Sequence, residues 1–170
     1  KAIAQRAVEN PQKALEELER CLKIDPKSTA VFYEMAKNYI DLKAYEEAET
    51  FLQKTLNDPD YQDNVNIRKQ LFYVFNRQKK YDEAIIEAKF ISEFDPVYYQ
   101  ELANLYLIRN EYQLALDALD DYDAIEGFDE FRDEYRMIIY KEGSLLEQGI
   151  EFFRKRFQNS KEDTRAAISL

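Results

Sequence analysis

Few residues of this chain could carry out chemistry on a substrate. The sequence contains no histidine and one cysteine, Cys21, and its three glycines are scattered at positions 127, 143 and 149. General bases are most often histidines, nucleophilic cysteines need a neighbouring base, and phosphate-binding loops need clustered glycines. Cys21 lies on an apolar stripe with Leu18 and Leu22, which favours a small buried side chain. We therefore predict that the chain is not an enzyme and binds no cofactor.

Carboxylates are the one abundant group that could bind a metal. The densest acidic run comprises Asp120, Asp121, Asp123, Glu126, Asp129, Glu130, Asp133 and Glu134. A calcium-binding loop needs oxygen ligands and a glycine at fixed positions. Counted from Asp121 and Asp123, the next ligand position holds Ile125, and Gly127 comes one residue late. We therefore predict a solvated acidic loop and no metal site.

The overall charge restricts the class of partner. The 170 residues include 24 Lys and Arg and 34 Asp and Glu, which gives a formal net charge of −10. Nucleic acids and anionic membranes require a basic face, so we expect neither as a partner. No apolar run approaches the ~18 residues of a membrane span, and no charged-then-apolar leader opens the chain. The sequence does not choose between a cytoplasmic and a periplasmic location.

One short pattern is fullest at residues 81–85, where an aromatic residue, two acids, a small residue and an apolar residue follow one another, and it recurs with substitutions at 11–15, 45–48, 112–116 and 146–150. The small residues are Ala14, Ala48, Ala84, Ala115 and Gly149, spaced by 34, 36, 31 and 34 residues. Periods in this range are typical of solenoids. Apolar residues at helical spacing flank each copy, so each unit is predicted to be a helix, a turn and a second helix. A small residue allows the two helices to cross closely.

These units predict one elongated domain over residues 1–170. The predicted units are about 1–27, 28–62, 63–95, 96–128 and 129–162, with the start of a further first helix at 163–170. Because the first unit opens in mid-helix without a cap, we expect the chain to be part of a longer protein. The last unit lacks a polar cap, so Ile150, Phe153 and Phe157 are expected to be covered by the final segment or by another copy of the chain.

The repeated residues resemble the tetratricopeptide repeat. In the second unit the characteristic positions are held by Phe32, Met35, Ala36, Tyr39, Tyr45, Ala48, Leu52 and Thr55. In the fourth unit they are held by Tyr99, Leu102, Ala103, Tyr106, Tyr112, Ala115, Leu119 and Tyr122. The fifth unit departs from the pattern, because Arg136 and Met137 stand where an apolar and a small residue are expected. The resemblance implies an all-α fold, a right-handed superhelical α-α solenoid, that serves as a non-enzymatic protein–protein interaction scaffold.

The resemblance also implies that the first helices line a concave groove that binds a peptide or a partner segment. The residues expected to face it are Tyr33, Lys37, Ile40, Lys69, Tyr73, Asn76, Arg77, Gln100, Asn104, Leu107 and Phe131. We expect Lys69 and Arg77 to bind an acidic or C-terminal peptide. The family's carboxylate clamp for chaperone tails is not reproduced, so chaperone binding is not predicted. The alternative function is a structural or oligomerisation segment of a larger protein without a dedicated peptide ligand.

Overall fold

A computed structural model describes the backbone of residues 11–168 and the side chains of residues 12–158. Within this range the regular elements are all helices, which we number in chain order: α1 Pro11–Ile24, α2 Thr29–Asp41, α3 Tyr45–Leu56, α4 Val65–Gln78, α5 Tyr81–Ser92, α6 Tyr98–Ile108, α7 Tyr112–Glu126, α8 Glu130–Glu142 and α9 Leu146–Ile168. The predicted all-α helical repeat solenoid is confirmed. The first helix of the predicted unit 1–27 lies outside the described residues.

The turn inside each helical hairpin has the same structure four times. Its central residues, with φ angles of 58°, 60°, 60° and 57°, are Lys43, Lys79, Asn110 and Ser144. After the first of these, the N–H of Ala44 donates to the Tyr39 carbonyl at 2.9 Å, and the N–H of Lys43 donates to the Ile40 carbonyl at 2.9 Å. This is the Schellman motif, in which a residue with left-handed backbone angles brings two N–H groups to the last free carbonyls of the helix. Four non-glycine residues adopt a backbone conformation that normally favours glycine.

The small residues of the repeat are the points where the two helices of a hairpin touch. Each lies five residues after a left-handed turn residue, and Ala48, Ala84 and Ala115 are all 0% exposed. The same position in the last hairpin is Gly149. A Cβ added there would lie 2.9 Å from ring atoms of Tyr140, so this crossing is closer still. The repeat spacing read from the sequence therefore marks the packing contacts of the fold.

The chain divides into two compact units, one that ends at Asp95 and one that begins at Pro96. The division falls at the predicted boundary between the third and fourth repeats. Within the first unit, α2 packs against α3, and α4 packs against both. Within the second, α6 pairs with α7, α8 packs on α7, and α9 packs on α8. No helix in the described part of the chain is long and apolar enough to span a bilayer.

The end of the chain differs from the prediction. A new first helix was predicted to start at 163–170, but α9 continues without a break from Leu146 to Ile168. The physical reason is that positions 158–168 contain no glycine or proline that would end a helix. The final segment therefore does not fold back over Ile150 and Phe157, which are 59% and 61% exposed.

Candidate partner-binding faces

In the first compact unit, predicted binding residues lie on the helices α2 and α4, which pack against each other. We call this surface, formed by Tyr33, Lys37, Ile40, Tyr73 and Arg77, the α2–α4 face. Tyr33 and Tyr73 are each 42% exposed, Lys37 and Arg77 are exposed, and Ile40 is half-buried. The Arg77 guanidinium carbon lies 5.5 Å from the centre of the Tyr73 ring. Two aromatic rings and two cations are thus presented on one pair of helices.

Lys69, a predicted binding residue, forms an ion pair within the chain. Its Nζ atom lies 2.7 Å from Oδ2 of Asp95, and both side chains are about one-third exposed, at 32% and 33%. The cation that was predicted to bind a carboxylate of the partner therefore already has one within the chain. Asn76, the remaining predicted residue of α4, is half-buried. The other two predicted cations of these helices, Lys37 and Arg77, are both exposed.

A cavity of about 300 Å³ lies beside Tyr33 at the amino ends of α2 and α4. Its walls are formed by Thr29, Ala30, Tyr33, Glu34, Asn64, Asn66 and Ile67. The Asn64 side chain caps α4, because its Oδ1 accepts hydrogen bonds from the N–H groups of Asn66 and Ile67 at 3.1 and 3.2 Å. Hydroxyl, amide and carboxylate groups line the cavity, which suits hydrogen bonding to a polar segment.

In the second compact unit, which begins at Pro96, one predicted binding residue already has a hydrogen-bond partner within the chain. The amide oxygen of Asn104 accepts a hydrogen bond from the Tyr135 hydroxyl of α8. Burial, reinforced by Glu142 and Glu101, raises the pKa of Tyr135 to about 12.

The other three predicted residues of this unit differ in exposure. Leu107 is half-buried and Gln100 is exposed, while Phe131 is 80% exposed. The two units therefore offer different surfaces, a cationic and aromatic one in the first and a mixed one in the second.

The acidic run is solvated only in part: Asp123, Asp129 and Asp133 are half-buried, and the other five acidic residues of the run are exposed. Three arginines pair with it in a group that we call the arginine–aspartate cluster: Arg132, Arg136, Arg156, Asp120, Asp123, Asp129 and Asp133. Asp123 contacts all three arginines, at 2.8 Å from Nη1 of Arg136 and 3.9 Å from Nη1 of Arg156, with a still shorter contact to Arg132. The cluster joins α7, the loop after it, α8 and α9.

Arg136 is a residue at which the fifth repeat departs from the repeat pattern. It lies eight residues before its turn residue, where Met35, Leu71 and Leu102 fill the core of the other hairpins, and it is 1% exposed. Its guanidinium carbon lies 5.1 Å from the centre of the Phe152 ring. Oδ1 of Asp120 lies 2.7 Å from Nη2 of Arg136, and the Asp120 side chain is 60% exposed. An ion-paired arginine therefore fills a place that an apolar side chain fills elsewhere.

Burial changes the titration of this cluster. It raises the pKa of Asp133, against the lowering effect of Arg156 and Arg136. It also lowers the pKa of Arg156, against the raising effect of Asp133 and Asp123. Both shifts have the sign expected when charged groups leave water. Among the described side chains, no group of three or more metal-binding residues could hold an ion.

Paired helices with repeated close crossings and mixed exposed faces define a helical repeat protein, a class that generally serves as a scaffold for protein interactions. Residues 5–62 match the family model of the tetratricopeptide repeat. A crystal structure of MamA aligns with a TM-score of 0.69 at 16% identity and covers 95% of each chain. A structure of MamA from residue 41 to its end, from Desulfovibrio magneticus RS-1, gives 0.68 at 16% identity over 95% of this chain and 93% of that chain.

No curated protein sequence matches the chain significantly. At 16% identity, the likeness to MamA shows the fold and nothing further. The tetratricopeptide repeat pattern is therefore matched over residues 5–62, and the described chain has the all-α helical repeat fold of the solved structures that it resembles.

Proposed function

We propose that the chain is a non-enzymatic protein–protein interaction scaffold, and that its α2–α4 face binds an acidic peptide or an acidic segment of a partner protein. The observation that carries this proposal is that two exposed tyrosines, Tyr33 and Tyr73, are each followed one helical turn later by an exposed cation, Lys37 and Arg77 respectively. Tyrosine and arginine are enriched among the residues that dominate binding at protein interfaces.

The two cations supply selectivity for acidic partners. Lys37 is exposed and makes no ion pair with any described side chain, and Arg77 is exposed beside Tyr73. A chain with a net charge of −10 repels an acidic segment at most of its surface, so a local pair of cations directs the segment to this face. Hydrogen bonds to charged groups contribute about 1.5–3 kcal/mol each, so two of them change affinity more than tenfold.

The aromatic and polar groups supply the remaining contacts. The rings of Tyr33 and Tyr73 present flat apolar surface to side chains of the bound segment, and each hydroxyl offers a hydrogen bond. The polar cavity beside Tyr33 accepts a further side chain or the backbone of the same segment. An extended peptide that bears a carboxylate on each side of an apolar residue fits this arrangement.

A double charge reversal tests the proposal. We expect Lys37→Glu/Arg77→Glu to weaken binding at least tenfold in a titration of fluorescently labelled acidic peptides. The control is Arg20→Glu/Lys54→Glu, which changes the net charge equally at exposed positions on α1 and α3. Far-ultraviolet circular dichroism should be the same for both variants, because all four residues are exposed. Equal weakening by the two double variants would mean that net charge alone attracts the peptide and that the α2–α4 face is not the site.

A further inference from the structure

An apolar groove of about 490 Å³ lies between α8 and α9. Tyr140 and Gly149 form its floor, and Met137, Leu146 and Ile150 form its walls. These three wall residues are 53%, 58% and 59% exposed. Large exposed apolar side chains that line one groove mark a site of association. The groove belongs to the second compact unit and shares no residue with the α2–α4 face.

The repeat shows what kind of element fits the groove. Met137 lies seven residues before its turn residue and Ile150 six residues after it, which are the places of Ala103 and Leu116 in the preceding hairpin. Ala103 is 0% exposed and Leu116 is 3% exposed, and the following helix, α8, packs against that hairpin. The groove between α8 and α9 is therefore the surface that receives one more helix.

We propose that this helix is α9 of a second copy of the chain, lying antiparallel to the first. The apolar residues that α9 presents are Leu146, Ile150, Phe153 and Phe157, spaced by four, three and four residues. This is the spacing of a coiled-coil seam, in which two helices pack side by side. Because α9 has 23 residues and α8 has 13, α9 extends beyond its own partner and has length to pair with a second helix.

The charges on α9 favour the antiparallel arrangement. Two antiparallel copies place Leu146 opposite Phe157 and Ile150 opposite Phe153. Glu147 and Arg154 flank the seam at equivalent places, and both are exposed. In the antiparallel pair, Glu147 of each copy lies beside Arg154 of the other, so opposite charges meet twice. Arg154 also pairs with Glu151 of its own helix at 2.9 Å, an exposed contact that it can exchange.

Sedimentation equilibrium over a hundredfold range of concentration tests the dimer. The chain should associate, and Ile150→Glu should be monomeric throughout, because a charge would be buried in the seam. The matched control is Ile86→Glu on α5, a residue that is 64% exposed and belongs to the other compact unit. We expect this control to associate as the unchanged chain does. A monomeric unchanged chain, or loss of association in the control as well, would overturn the proposal.

Charge reversal tests the orientation. Arg154→Glu should weaken association about tenfold, because two attractive contacts become repulsive. The double variant Glu147→Arg/Arg154→Glu should restore it, since each pair is reversed as a whole. A double variant as weak as the single one would overturn the antiparallel pairing. Binding of acidic peptides should be unchanged in both, so a failure here is distinguishable from a failure of the proposed function.

Discussion

The arginine–aspartate cluster predicts an unequal response to removing one charge or the other. Asp123→Ala removes the carboxylate that contacts Arg132, Arg136 and Arg156. Arg136→Met instead places at this position the residue type found at Met35, the equivalent place of the second repeat. The first change removes the carboxylate that the three arginines share and leaves them with Asp120, Asp129 and Asp133 only. The second removes a buried charge and leaves Asp123 with two arginine partners.

The burial of the partners sets the magnitude. The side chains of Asp123, Arg132 and Arg136 are 17%, 9% and 1% exposed. Breaking a buried ion pair by removing one partner costs about 3–5 kcal/mol. Because Asp120 still lies 2.7 Å from Arg136, we expect the lower end, about 3 kcal/mol. This corresponds to a fall in Tm of about 6–12 °C. For Arg136→Met we expect a change within about 1 kcal/mol, since apolar replacement of buried ion pairs is often neutral.

Urea denaturation followed by circular dichroism gives the free energies of unfolding of both variants. Amide hydrogen exchange should show that the protection lost in Asp123→Ala is concentrated in α7, α8 and α9. Exchange in α2 to α5 should be unchanged, which serves as the internal control. If Arg136→Met costs more stability than Asp123→Ala, the cluster stabilises the hairpin through Arg136 itself, and the reasoning is refuted.

Three further predictions concern single positions. Gly149→Ala should destabilise the chain by about 1–2 kcal/mol in urea denaturation, because the added Cβ meets the Tyr140 ring and the overpacking outweighs the gain in helix propensity; a more stable variant would contradict this. Lys79→Gly should raise the free energy of unfolding by up to about 1 kcal/mol, since its φ of 60° is left-handed, and a loss would argue against that turn. Burial raises the pKa of Glu87 despite its 2.9 Å contact with Arg68, so the folded chain holds this proton more tightly than the unfolded chain does. The unchanged chain should therefore gain stability relative to Glu87→Gln as the pH falls through the raised pKa towards the ordinary value of a glutamate, and a relative loss would refute the assignment.

The positions of the hairpins could be predicted from the sequence because the repeat marks backbone contacts directly. A small residue such as Ala84, placed between two helices at 0% exposure, tolerates no larger side chain, so its spacing records the geometry of the fold. The turn residues were harder to foresee. Lys43 and Ser144 are not typical of left-handed positions, and only their fixed distance from the small residue of the repeat identifies them.

The ion pairs could not be predicted because sequence periodicity gives the face of a helix and not the neighbours across it. Lys69 lies 26 residues before Asp95, and nothing in the pattern of α4 points to that loop. The arginine–aspartate cluster did leave a signal. Arg132 and Arg136 lie four residues apart on one face of α8, and Asp120 and Asp123 lie three apart on one face of α7. Opposite charges on two faces that meet would have indicated a paired cluster.

Nuclear magnetic resonance mapping of the bound peptide tests the proposed function most directly. The labelled chain would be titrated with the unlabelled acidic peptide that binds most tightly in the fluorescence assay. Binding at the α2–α4 face predicts saturable amide shift changes concentrated around Tyr33, Lys37, Tyr73 and Arg77. Saturable changes concentrated instead on α3 and α5, or no saturable change at any peptide concentration, would contradict the assignment of this face as the partner-binding site.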